Sequence, residues 1–352
     1  MPGSAARTPA ADTDVVCLGE SMVTFLPSRP GRLADVPSFS RTIGGAESNV
    51  ACALASAGHT VTWVSRVGAD GFGDHLVEAV RAYGVNTSAV HRDPDRPTGV
   101  YFRTATDRAT DVHEVAYYRA GSAASAMSPD NVPHDVLLGG RVLHLSGITA
   151  ALSADCLALL RALTAPRPGR PLLSFDVNHR PGLWRGRDPG PEVLMELARR
   201  CDLVFVGEDE AEEVWGVRGT RAVRAALPEP DVLVVKRGAE GATVLSRTGE
   251  GRPDTVTDVP ALRVDVIAPV GAGDAFAAGF LSATLRGLPV RERARHGHLM
   301  AAAVLTVPGD LTAPPSRPHA DRLAALDDTA WGTLRLGPGW TDEGANEEAE
   351  AV

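Results

Sequence analysis

The feature that most constrains this chain is an alternation. Short apolar runs rich in Val and Leu recur along it, and helical patterns separate them. The runs at 14–20 ("DVVCLGE"), 60–68, 141–147, 171–178, 202–208 and 231–238 read as strands. Residues 49–58, 73–84, 153–163, 191–200, 208–215 and 220–226 read as helices between them. Strands and helices in turn predict an α/β domain with a mostly parallel sheet.

One region breaks the rhythm. "TGVYFRTATDRATDVHEVAYYRAG" (98–121) holds two extended runs around a polar turn and no helix. With the extended stretch at 22–43 it predicts a small sheet standing off the main domain. That sheet fits a lid over a cleft and an ordinary edge hairpin equally.

The ends and the charge narrow the class. Residues 1–13 lack the apolar core of a signal peptide and read as a disordered tail on a cytoplasmic protein. The acidic segment 336–352 reads as a second disordered tail. No apolar run reaches the roughly 18–20 residues that span a bilayer, so no membrane role is expected. A net charge of -9 argues against a nucleic-acid partner, and any anionic small molecule would need a local cluster of arginines. Cys17, Cys52, Cys156 and Cys201 are scattered, as reduced core thiols are. Lys236 is the only lysine in the chain.

The stretch with the most chemistry is "APVGAGDAFAAGF" (268–280). It sets Gly271, Ala272, Gly273 and Asp274 between a β-rich run and a helix over about 275–285. Unpaired N–H groups and the positive dipole end of a helix, approached over glycines, suit the charge of a transferring phosphoryl group. Asp274 at the rim is placed to take a proton from an attacking hydroxyl. An aspartate that merely caps a helix would have the same local pattern.

Taken in order, "GGAESNVACALASAG", "SRVGADGFG", "GEDEAEEVWG", "VVKRGAEGATV" and "APVGAGDAFAAGF" resemble the ribokinase-like (PfkB) family of carbohydrate kinases. The resemblance covers about residues 14–316. It implies one domain over 14–318, a doubly wound and mostly parallel sheet flanked by helices, and a small β-sheet lid from 22–43 and 98–121. It implies ATP and Mg²⁺ as cofactors. "HEVAYYRAGSAASAMSP", "DVNHRPGLW" and "TVPGDLTAPPSR" resemble the 2-keto-3-deoxygluconate kinase branch, whose substrate is a sugar acid phosphorylated to its 6-phosphate.

Carried over residue by residue, the resemblance makes Asp274 the base and Gly271, Ala272 and Gly273 the phosphoryl cradle. Tyr101, Tyr117 and Arg119 become the lid side of the sugar pocket, with Tyr118 reaching it only through backbone. The segment from Gly45 to Asn49 would take sugar hydroxyls, and Asp310 would approach from the C-terminal side. Asn178 and Arg180 would lie between sugar and phosphates. Arg119 and Arg180 would grip the carboxylate through the fork that a guanidinium offers. Lys236, Gly238 and Gly241 would border ATP, and Glu210 would hold magnesium through water. The chain departs from the family pattern at Gly207, where Asn is usual, and at Ala268, where an Asp commonly helps hold a monovalent cation. It also has Thr24 where neutral-sugar kinases usually carry Asp. The alternatives are a kinase of the same family acting on fructose, ribose or another keto-sugar acid, and a catalytically silent sugar-binding protein. Exposed lid strand edges predict a homodimer or larger homo-oligomer.

Overall fold

The first strand, β1 (Thr13–Leu18), shows how the large sheet is built. Val15 and Cys17 enter one core cluster, Val16 and Leu18 the other, all at 1% exposure or less. That is the two-residue period of a strand covered on both faces. The structure is a computed structural model that describes residues 13–29, 31–104, 114–247, 249 and 253–342.

After β1 the chain leaves for a smaller sheet as β2 (Met22–Pro27) and β3 (Phe39–Gly44), then returns as β4 (Val61–Gly68) and β5 (Val90–Asp93). β6 (Val100–Arg103) and β7 (Val115–Tyr118) complete the small sheet. The large one continues through β8 (Gly140–Ser146), β9 (Leu172–Asp176), β10 (Leu203–Gly207), β11 (Val232–Lys236), β12 (Ala242–Ser246) and β13 (Thr255–Val259).

The large sheet runs β13-β12-β11-β10-β9-β8-β1-β4-β5. Neighbours from β11 to β5 are parallel, and β12 and β13 extend one edge antiparallel. Sequence order climbs in both directions away from the β8–β1 boundary. Such a switch point leaves a crevice beyond the carboxyl ends of the strands, where α/β proteins bind ligands. Helices Ala46–Ser56, Ala272–Leu285 and Val290–Leu305 cover one face. Helices Ala154–Thr164, Val193–Ala198 and Thr220–Ala226 cover the other. The small sheet, β3-β2-β6-β7, stands apart as the two extended segments require. The turn of its hairpin, residues 105–113, lies outside the described residues.

Two expectations need correction. The acidic tail does not begin at residue 336. Arg335–Leu336 pairs with Arg263–Val264, and Leu336 and Trp340 are buried. Trp331, on the helix Asp328–Thr333, is fully buried in the core, so the domain runs on past residue 318 to about residue 342. A two-residue strand and a six-residue helix are too short to show periodicity, and the acidic residues around them hid the aromatic anchors. The helix expected from about 275 begins at Ala272, which matters for Asp274 below. Residues 1–12 and 343–352, the rest of the two tails, lie outside the described residues. The four cysteines are buried and unpaired. Among the described residues no helix is long and apolar enough to cross a membrane.

Candidate active site

The strand ends at the switch point open into one cleft of about 1540 Å³. From the main domain Gly45 and Asn49 line it; Tyr101, Tyr117 and Arg119 line it from the lid. Asn178, Arg180, Glu210, Lys236 and Gly238 come from the ends of β9 to β11, and Gly271, Gly273, Asp274 and Asp310 from the C-terminal part. Ala272 opens its helix without lining the cleft. Gly241 lies behind the wall: with φ at 119° it turns the chain between β11 and β12, and a Cβ there would sit 2.2 Å from the Val259 carbonyl oxygen. Glu47 and Ser48, within the Gly45–Asn49 segment, face the interior. There Thr149 Oγ1 donates to Glu47 Oε1 at 2.7 Å and Ser48 Oγ donates to Ser21 Oγ at 3.0 Å.

Asp274 is not the cap of its helix. Gly271 is, in the left-handed region at φ 80°, and Asp274 is the third helical residue. A Cβ on Gly271 would meet the Asp310 carbonyl oxygen at 2.6 Å, so conformation and contact both demand glycine. The Asp274 carboxylate accepts a hydrogen bond from Asn49 Nδ2 at 2.8 Å. Burial at the cleft floor pushes its carboxyl up to about 7, and nearby Asp176 adds to that. The Asn49 hydrogen bond, Arg180 and Lys236 oppose the rise.

Beside the start of that helix, Lys236 Nζ donates to both oxygens of Asp176, each at 3.0 Å. A Cβ on Gly273 would lie only 3.7 Å from that ammonium, which marks how closely it flanks the helix start. Burial alone would lower the Lys236 ammonium. Asp176, Glu210 and Asp274 outweigh it and hold the pKa above the usual lysine value. Asn178 holds a left-handed backbone, φ 41°, an unusual conformation that Asn tolerates and that clusters at functional sites. Arg180 is exposed, and among the described residues Nη1 donates only to the neighbouring His179 carbonyl at 2.9 Å.

Glu210 anchors backbone. Its oxygens accept from Gly207 N at 2.7 Å and His179 N at 3.0 Å, so as the N3 residue of the helix Glu208–Trp215 it makes the returning half of a capping box. Gly207 stands at the N-cap and offers no side-chain acceptor to the first helical N–H groups. Each Glu210 oxygen keeps a lone pair. That suits a water-mediated contact with a hydrated divalent cation. No group of three or more His, Cys, Asp or Glu among the described residues forms a metal cage.

On the lid side the arginines are already paired. Arg119 Nε donates to Glu20 Oε2 at 2.7 Å, and its guanidinium lies 5.7 Å from the Tyr117 ring. Arg103 Nη2 donates to Asp310 Oδ1 at 2.7 Å, and Tyr101 Oη donates to Asp310 Oδ2 at 3.2 Å. Asp310 is therefore tied to the lid strand β6 through both oxygens. Tyr118 points away and meets Phe102 edge-on at 6.0 Å.

Sequence reasoning missed Glu20, Arg103 and Asp176. Each had a local signal: Glu20 and Asp176 stand at or just past the carboxyl ends of core strands, and Arg103 shares a strand face with Tyr101.

Residues 12–317 match the family described as pfkB family carbohydrate kinase. A 2-dehydro-3-deoxygluconokinase of Bacillus subtilis is 34% identical over 309 residues, covering 86% of this chain and 93% of its own. One from Thermoproteus tenax is 33% identical over 324 residues, covering 91% and 97%. The crystal structure of a PfkB protein from Polaromonas sp. JS666, 35% identical, superposes with a TM-score of 0.76 over 88% of this chain and 99% of that one. With its fold, its cleft and a family match over nearly its whole described length, the chain belongs to the pfkB family of carbohydrate kinases.

Proposed function

We propose that this protein transfers the γ-phosphoryl group of ATP to the terminal hydroxyl of 2-keto-3-deoxygluconate, giving the 6-phosphate. The observation that carries the reading is the place of Asp274. It is one carboxylate at the start of a helix, flanked by backbone N–H groups and an ammonium, in a cleft whose far side holds Arg119. The B. subtilis and T. tenax relatives bear the name of a kinase for this sugar acid, which supports the substrate.

In the proposed step the hydroxyl proton passes to Asp274. The hydroxyl oxygen bonds to the γ-phosphorus as the bond to the ADP oxygen breaks. The N–H groups of Gly271, Ala272 and Gly273 take up charge on the phosphoryl oxygens. Lys236 and Asn178 face the phosphates, while Gly238 and the turn at Gly241 shape the nucleotide side. Arg119 grips the sugar carboxylate with Arg180, which also reaches phosphate. Gly45, Asn49, Tyr101 and Tyr117 surround the sugar, and Asp310 offers its remaining lone pairs to a hydroxyl. Magnesium would neutralise phosphate charge, with Glu210 touching it through water. The edge strands β3 and β7 of the lid are open to pairing with a second copy, which supports a homo-oligomer.

A coupled ADP-release assay across a sugar panel tests the substrate. The sugar acid is expected to exceed fructose and ribose in kcat/KM by at least about 100-fold, because a neutral sugar leaves the arginine edges unmatched. A neutral sugar that turns over faster sinks the assignment.

The same assay tests the base through pH. A base must be ionised to act, and free-enzyme groups govern kcat/KM. With Asp274 at about 7, kcat/KM is expected to climb about tenfold per pH unit below neutrality and level off above it. An acid limb near 4 would assign the base to an unperturbed carboxylate instead.

A further inference from the structure

We propose that Glu20 is a positioning residue: it sets Arg119 for the substrate carboxylate and thereby gives the site its preference for a sugar acid over a neutral sugar. The inference rests on the sugar-acid reading above.

Glu20 follows β1 at the point where the chain crosses to the lid, and only 2% of it is exposed. Both of its oxygens are committed. Oε2 accepts from Arg119 Nε at 2.7 Å and also pairs with Nη2, while Oε1 accepts from Ser122 Oγ at 2.5 Å. Ser122 thus holds the carboxylate that holds the arginine. Room for the pair comes from Gly99. A Cβ there would sit 2.9 Å from Glu20 Oε1 and 3.5 Å from Arg119 Cβ.

The guanidinium is planar, with its donors in a fixed fork. Glu20 occupies the Nε side and the Tyr117 ring lies beside the group. Nη1 has no protein partner among the described residues, and Arg119 lines the cleft. One edge of the fork is fixed to protein, and the edge bearing Nη1 is left for a ligand. An incoming carboxylate meets donors whose direction is already set. A neutral sugar has no group that matches two parallel N–H donors.

A plain fastening role would also explain a buried pair, because Glu20 and Arg119 join the main domain to the lid. The two roles differ in what they disturb. A fastener acts on every substrate and on ATP; a positioner acts on the sugar acid alone, and only while Arg119 is present.

The test is a double-mutant cycle on the whole protein with Glu20→Gln, Arg119→Met and the pair, assayed with 2-keto-3-deoxygluconate, with fructose and with varied Mg-ATP. Glu20→Gln is expected to raise KM for the sugar acid about 10- to 100-fold. kcat and KM for ATP should stay within about twofold, the pattern of lost uniform binding. Activity toward fructose should hold, and the double variant should match Arg119→Met alone. Ser122→Ala should shift the sugar-acid KM the same way by less, in a protein that keeps the ion pair. Additive losses in the cycle, or equal losses against fructose and ATP, overturn the proposal in favour of fastening. A wild-type protein that does not phosphorylate the sugar acid overturns the parent reading and this inference with it. One that does, with Glu20→Gln unchanged, overturns this inference alone.

Discussion

Asp274→Asn is expected to lower kcat by about 10³- to 10⁴-fold, with KM for sugar and ATP within about threefold. The substitution keeps shape, and the new amide still offers an oxygen to Asn49 Nδ2, now 2.8 Å from the carboxylate. It removes the capacity to take a proton and, with it, the negative charge that faces Lys236 and Arg180. An amide is no base at any working pH, so the neutral limb of the pH–rate profile should vanish with the activity. Steady-state kinetics with a binding measurement for each substrate checks this. Turnover that survives with the wild-type profile would mean that the proton leaves by another route.

Lys236→Met is expected to damage stability and catalysis together. The Asp176 side chain is only 4% exposed, and Lys236 Nζ is the partner of both its oxygens. Breaking a buried pair from one side leaves an uncompensated charge and costs about 3–5 kcal/mol. Lys236 keeps a fifth of its side chain open to water, so the lower end applies. That is roughly 4–5 °C in Tm for a domain of this size. Loss of a fixed positive charge beside the cradle should also cost about 10²-fold in kcat/KM for ATP. Adding Asp176→Asn removes the stranded charge. The double variant should regain most of the Tm and little of the activity. If thermal melts show no drop for Lys236→Met, the pair carries no net stability. If the double variant regains activity too, Lys236 serves the fold and not the phosphates.

The sequence showed some of this plainly. The apolar runs that become β1 and β8 to β11 are local patterns, and so is Gly-Ala-Gly-Asp at the start of a helix. What stayed hidden was pairing over distance. Glu20 meets Arg119 across 99 residues, Asp176 meets Lys236 across 60, and Arg103 meets Asp310 across 207. No periodicity relates such positions; the sheet order and the lid bring them together. For the same reason Arg119 and Asp310 looked like free binding groups in the sequence, whereas each is held by a partner in the fold. The Asp274 side chain was ambiguous between cap and base because those roles differ by a few residues of helix start. That start was decided by the left-handed Gly271 packed beneath Asp310.

A chain of 352 residues with a single lysine has a chemical consequence. Apart from the N-terminal amine, an acylating or reductively alkylating reagent finds one primary amine, and it lies inside the cleft. Asp176, Glu210 and Asp274 hold that ammonium above the ordinary lysine value, which lowers its free-amine fraction below that of an ordinary lysine. Amine coupling to a bead or a dye near neutral pH is therefore expected to favour the N-terminal amine over the one in the cleft.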